Sequence, residues 1–136
     1  MFRAYTRLAL LFAAIVLGLV YQWQGNAQFA IYLYLAAALL LASHLLFGNI
    51  WQAFTALRSG RPGLADRILG LVVRSSWLLP RPRAYYHFVQ GMLALRAEQL
   101  EEGDRALQRA LAGPLRSDRD RALALLNRAH IAYLQQ

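Results

Sequence analysis

Polar and apolar positions divide the chain into two unlike halves. From Leu8 to Leu57 there is no Asp, Glu, Lys or Arg, and two apolar runs occupy that stretch, residues 8–21 and 29–47. At about 1.5 Å per residue the second run reaches roughly 28 Å as a helix, near the ~30 Å hydrocarbon core of a bilayer, and the first reaches roughly 21 Å. Arg3 and Arg7 precede the first run, Tyr21 and Trp23 follow it, and Trp51 follows the second, which is where snorkelling cations and interfacial aromatics belong. The pattern predicts two membrane spans, at about 8–23 and 29–47, joined by the short polar link Gln24-Gly25-Asn26-Ala27-Gln28. Residues 1–49 then form an antiparallel transmembrane hairpin. A competing reading takes the first run as a secretory leader, with Gly25-Asn26-Ala27 as its small-x-small cleavage site.

Beyond residue 50 the period changes. Turn signals at Ser59-Gly60-Arg61-Pro62-Gly63, Leu79-Pro80-Arg81-Pro82 and Gly113-Pro114 separate segments whose apolar residues recur at helical spacing. Ala65, Ile68, Leu69, Val72 and Val73 trace one such face, and Ala106, Leu107, Ala110 and Leu111 another. Ser117 or Asp118 is placed to cap a last helix, and no stretch reads as strand. The fold class is all-α.

These helical segments repeat. Residues 53–60 align with residues 91–98, so that Ala53 matches Gly91 and Gly60 matches Glu98; a second small residue follows twelve positions on in each unit, Ala65 and Gly103, and Val72 and Ala110 follow seven later. Small residues at such offsets let two antiparallel helices approach closely, which makes Ala53, Ala65, Gly91, Gly103 and Ala110 the repeat-packing positions. The units run at about 50–79, 84–117 and, as one helix only, 118–136. Pro80-Arg81-Pro82-Arg83 reads as a linker into the second unit, with Tyr85 and Tyr86 lining its concave side or its core.

The spacing of Gly91, Gly103 and Ala110, with Pro114 closing the unit, resembles the tetratricopeptide (TPR) repeat family, and the run from Glu101 to Leu111 looks like that family's second helix. The likeness covers about Ile50 to the C-terminus. It departs from the family in its 38- to 39-residue period against the usual ~34 and in the alanines Ala56 and Ala94 at aromatic positions. The whole chain also resembles bacterial inner-membrane proteins that carry a double-span anchor ahead of TPR units, the HemY-like proteins among them. The resemblance implies a short helical solenoid that binds another protein, without catalysis. Contacts on its concave face fall to Tyr85, Tyr86, Gln90, Arg96 and Arg128. About three units are needed for such a stack to stand alone, so the last helix, apolar on more than one face through Leu123, Leu125, Leu126 and Tyr133, is either a plain terminus or an edge that docks on another chain or on a second copy.

Charge sharpens the picture. The chain has 136 residues, all fifteen of its basic residues are arginine, and against seven acids the net charge is +8. The absence of Cys excludes disulfides, thiol nucleophiles and Cys-ligated metals; the absence of Lys excludes a P-loop and Schiff-base chemistry. Arg58, Arg61, Arg67, Arg74, Arg81 and Arg83 are opposed over their interval only by Asp66. With Arg3 and Arg7 before the first run and no arginine between the runs, the positive-inside rule puts both termini in the cytoplasm. Arg3, Arg7, Arg58, Arg61 and Arg67 are the headgroup and orientation residues, each worth about 1 kcal/mol near an anionic surface. The same basic run could instead meet a partner's acidic surface or, less in keeping with an adjacent anchor, nucleic acid.

No catalytic, cofactor or metal site is expected. His44, His87 and His130 lack ligand spacing, Glu98, Glu101, Glu102 and Asp104 sit where acids complement a helix N-terminus, and no nucleotide or small-molecule motif occurs. The sequence points to a non-enzymatic inner-membrane scaffold whose partners are membrane lipid and another protein or itself. The alternative is an accessory subunit of a transporter, respiratory or polysaccharide-export complex that acts through its hairpin, where Ala13, Ala14, Gly18, Ala36, Ala37 and Ala38 would permit close helix contact.

Overall fold

A computed structural model describes residues 2–47 and 49–136. Gly48 and the side chains of Arg3 and Arg7 lie outside the described residues. Among those described, all regular structure is helical: α1 (Phe2–Trp23), α2 (Ala27–Phe47), α3 (Ile50–Arg58), α4 (Pro62–Leu69), α5 (Pro80–Arg96), α6 (Leu100–Ala112) and α7 (Asp118–Leu134), with one 3₁₀ turn at Ser75–Trp77. The chain divides into two compact units, Met1–Leu46 and Phe47–Gln136.

In the first unit α1 ends in a Schellman turn. Gly25, at φ +81°, takes the left-handed conformation that closes it, and the Gly25 and Asn26 N–H groups donate to the Gln22 and Tyr21 carbonyls. Beyond the turn the helices meet: Tyr21 stacks on Phe29 at 5.9 Å, and the Tyr34 hydroxyl donates to Gln22 Oε1 at 2.7 Å. Gly18 lies where a Cβ would come within 2.7 Å of the Tyr34 ring. Most large apolar side chains of both helices point outward, Phe12 at 70% exposure and Leu39 at 64% among them. Where two spans were expected, one helix among the described residues, Ala27–Phe47, is long and apolar enough to cross a membrane; the apolar part of α1, Leu8–Trp23, is shorter.

The second unit is built from helices that pack on their neighbours, α3 on α4, α5 on α6 and α6 on α7, with α3 and α4 also against α5. Its core is aromatic at the centre. Tyr85 lies 4.8 Å from Trp51 and 5.1 Å from Phe54, and Phe54 meets Phe88 edge-on at 5.7 Å. Leu107, Val89, Ile131 and Leu78 complete it, each fully buried.

Small residues stand where helices touch. Ala53, Ala65 and Ala110 have no exposed surface, and Gly91 and Gly103 are buried in α5 and α6. A Cβ on Gly91 would fall 2.7 Å from Leu107 Cγ and 3.1 Å from its backbone nitrogen, whereas one on Gly103 would rest 3.4 Å from the Gly91 carbonyl oxygen. Ser117 caps α7, its hydroxyl accepting from the Asp120 N–H at 3.1 Å.

The linker expected at Pro80–Arg83 is instead the first turn of α5. Prolines suit that place, because the first N–H groups of a helix have no intrahelical partner and the ring's φ is already helical. Helix α5 thus begins at Pro80, four residues before residue 84, where the second repeat was expected to begin.

Two turns share one geometry. After α3, Gly60 is left-handed at φ +73°, and after α5, Glu98 is left-handed at φ +60°. In the first, Arg61 N donates to Ala56 O at 2.9 Å and Gly60 N to Leu57 O at 3.1 Å; in the second, Gln99 N donates to Ala94 O at 2.9 Å and Glu98 N to Leu95 O at 3.2 Å. Glutamate bears a steric cost in this conformation that glycine escapes. Glu98→Gly is therefore expected to stabilise the second unit by about 0.5 to 1 kcal/mol, read as a higher urea midpoint of the full chain in mild detergent.

Candidate functional site

Helix α5 carries the site through its periodicity. Tyr85 and Tyr86 are adjacent, so they point about 100° apart around the helix. Tyr85 turns into the core at 1% exposure. Tyr86, Gln90, Leu93 and Ala97, at offsets of four, seven and eleven, share the face that looks out toward α4. An open groove of about 780 Å³ runs there, bounded by Pro62, Asp66 and Arg67 of α4 and by Gln99 and Glu102 at the start of α6, with Arg96 at its end. Its polar groups are of both signs: Arg67 and Arg96 against Asp66 and Glu102.

Three of the five expected contact residues, Tyr86, Gln90 and Arg96, are thus brought together, and Arg67, expected at the lipid surface, joins them. The other two are not. Tyr85 is a core residue, and its role as a surface contact is corrected: its hydroxyl donates to Asp120 Oδ2 at 2.6 Å and accepts from the Arg116 N–H at 3.0 Å. Burial first, then the hydrogen bond to Asp120, raises its pKa above 10.0, partly offset by the Arg116 N–H. Arg128 is engaged between helices, its Nε donating to Asp104 Oδ1 at 2.6 Å and its Nη2 to Oδ2 at 3.3 Å. That bond to Asp104 raises its pKa against a smaller opposing effect of burial, and it ties α7 to α6.

Asp66, Leu93 and Glu102 were not foreseen as lining residues. The 3.6-residue period running on from Tyr86 through Gln90 points to Leu93, but nothing local brings Asp66 and Glu102 to the same groove. Of the remaining orientation residues, Arg58 lies 5.7 Å over the Phe54 ring and the Arg61 Nε donates to Ser59 Oγ at 3.3 Å; both are exposed.

The histidines are dispersed. His44 is buried in the last turn of α2, its Nδ1 without a hydrogen-bond partner. His130 is exposed on α7. His87, half-buried on α5, has Nδ1 3.4 Å from Gln90 Oε1. Among the described residues no group of three or more His, Cys, Asp or Glu could hold a metal ion.

Burial lowers the His87 pKa below 6.5; the Gln90 hydrogen bond opposes this, and the Arg109 and Arg83 guanidiniums add to it. A folded pKa below the unfolded one means that the contribution to stability is complete above about pH 6.5 and is lost as pH falls through the folded value, because the unfolded chain takes up the proton more readily. The expected result is that His87→Gln flattens the fall in stability between about pH 7 and pH 5, measured by urea unfolding at each pH.

No protein-family model, no curated protein and no solved structure matches this chain.

Proposed function

We propose that this chain is a membrane-anchored adaptor: a two-helix hairpin in a bacterial inner membrane, both termini in the cytoplasm, followed by a short TPR-like solenoid that binds another protein without catalysis. The groove between α4 and α5 carries the reading. Its aromatic, amide and guanidinium groups, Tyr86, Gln90, Arg67 and Arg96, line one open channel on a rigid helical frame, which is the composition of a protein-recognition surface. The repeat reading is supported by the equivalent turns at Gly60 and Glu98 and by the starts of α4 and α6 at Pro62 and Leu100, both pairs 38 residues apart. The anchor reading is supported by α2, an apolar helix of 21 residues.

The test is affinity capture of the tagged full chain from membranes in mild detergent, beside a Tyr86→Ala, Gln90→Ala, Arg96→Ala variant of unchanged helicity. A stoichiometric protein retained by the wild type and lost from the variant is the expected result. Equal recovery with both would place recognition outside the groove, and a chain that extracts from cells without detergent would overturn the anchor.

A further inference from the structure

Between Asp66 and Glu98 the chain has no carboxylate side chain, yet it carries Arg67, Arg74, Arg81, Arg83 and Arg96. The connection from α4 to α5 lies within this interval. It is fixed rather than loose. Leu78 is 1% exposed and belongs to the core, and the Arg83 guanidinium gathers the turn by donating to the Ser75 carbonyl at 3.2 Å, to the Ser76 carbonyl and to the Leu78 carbonyl at 2.9 Å.

That brace dictates what faces outward. With Leu78 turned in, Val73 stands 66% exposed, Trp77 47% and Leu79 39%. The Arg74 guanidinium lies 5.5 Å over the Trp77 ring, and Arg81, four residues on from Trp77 in the chain, is exposed. An indole with a cation on its face, flanked by open aliphatic side chains and free arginines, has the chemistry of the bilayer headgroup layer: the ring sits at the apolar boundary while the guanidiniums meet lipid phosphate.

We infer that the connection from Val73 to Leu79, together with Arg81 in the first turn of α5, is a second membrane contact, which docks on an anionic bilayer surface through Val73, Trp77 and Leu79 with Arg74 and Arg81. The bilayer is chosen over an acidic protein because the positive charge comes with protruding apolar side chains and because the same chain carries an apolar helix long enough to cross a membrane. The inference rests on the membrane-anchor reading given above. Its consequence is that the chain meets the bilayer at a second place besides its apolar helix.

The test keeps the full chain and leaves one tryptophan at a time. Trp23→Phe with Trp51→Phe reports from Trp77, and Trp51→Phe with Trp77→Phe reports from Trp23. Each is reconstituted in vesicles of phosphatidylcholine alone or of an equimolar mixture with phosphatidylglycerol, the acyl chains brominated to quench indole emission. Trp77 is expected to lose about half of its emission in the anionic vesicles and much less in the zwitterionic ones, as an indole drawn to the interface by charge would. Arg74→Gln with Arg81→Gln should abolish that difference.

Quenching of Trp23 without quenching of Trp77 overturns the second contact and leaves the anchor standing, and it gives the arginine patch to an acidic protein. Quenching of neither overturns the anchor, and this inference with it. Equal quenching of Trp77 in both vesicles overturns the role assigned to the arginines.

Discussion

Gly91→Val is expected to destabilise the second unit by about 3 kcal/mol, a fall in unfolding midpoint of about 12 to 24 °C for a unit of this size. The cause is distance. A Cβ at Gly91 would stand 2.7 Å from Leu107 Cγ, 3.0 Å from its Cδ2 and 3.1 Å from its backbone nitrogen, so relief requires α6 to move rather than a side-chain tip to turn. Leu107 has no exposed surface and nowhere to retreat. Gly91→Ala should lose less, about 1 kcal/mol, because better helix propensity offsets part of the clash. Gly63→Ala is the contrasting variant: nothing lies within 4 Å of its Cβ position in α4, and a gain of about 0.5 kcal/mol is expected. Emission of Trp51, which stacks on Tyr85, reports the unfolding of this unit in the full chain. A Gly91→Val protein with the wild-type midpoint would mean that α5 and α6 do not approach this closely.

Tyr85→Ala should cost about 3 to 5 kcal/mol, the range for deleting a buried aromatic. The ring joins Trp51 and Phe54 of α3 to Phe88 of α5, and its hydroxyl reaches α7 through Asp120. Removing it empties the place where three helices converge. Tyr85→Phe keeps the ring and loses only the bonds to Asp120 and from Arg116, worth about 2 kcal/mol where the acceptor is a carboxylate; a double-mutant cycle with Asp120→Asn isolates that share.

The same hydroxyl sets an alkaline limit. Its folded pKa is raised above 10.0, so its contribution is complete below about pH 10 and is lost as pH rises through the folded value, the unfolded chain releasing the proton first. Tyr85→Phe should flatten stability on that side. A variant as steep as the wild type would remove Tyr85 as the cause.

How far the sequence could be read is clearest in this pair of tyrosines. Helical period and turn glycines were enough to foresee helices through residues 50–136, the cap at Ser117 and small residues at helix contacts, because each is fixed by neighbours a few positions away. Period sets Tyr85 on the face of Phe88 and Val89 and Tyr86 on that of Gln90, but the partner that engages the Tyr85 hydroxyl, Asp120, lies 35 residues on, and no local pattern carries that. Arg128 was misjudged for the same reason, since its partner Asp104 lies 24 residues back on another helix. The prolines at 80 and 82 misled in the opposite way. They signal a break when read alone, yet they are well suited to the opening turn of a helix. Length alone gave the second apolar run as a span, while the first, about a quarter shorter, depended on flanking residues whose setting local pattern does not determine.

The matching turns at Gly60 and Glu98 have a consequence for how this chain could change. A segment from Arg61 to Glu98 begins and ends at the same backbone conformation, closed by the same pair of hydrogen bonds. A second copy spliced in after Glu98 would therefore enter and leave through the same turn. Growth by duplication is open to this architecture in steps of 38 residues, and the protein could be lengthened without a new junction having to be invented.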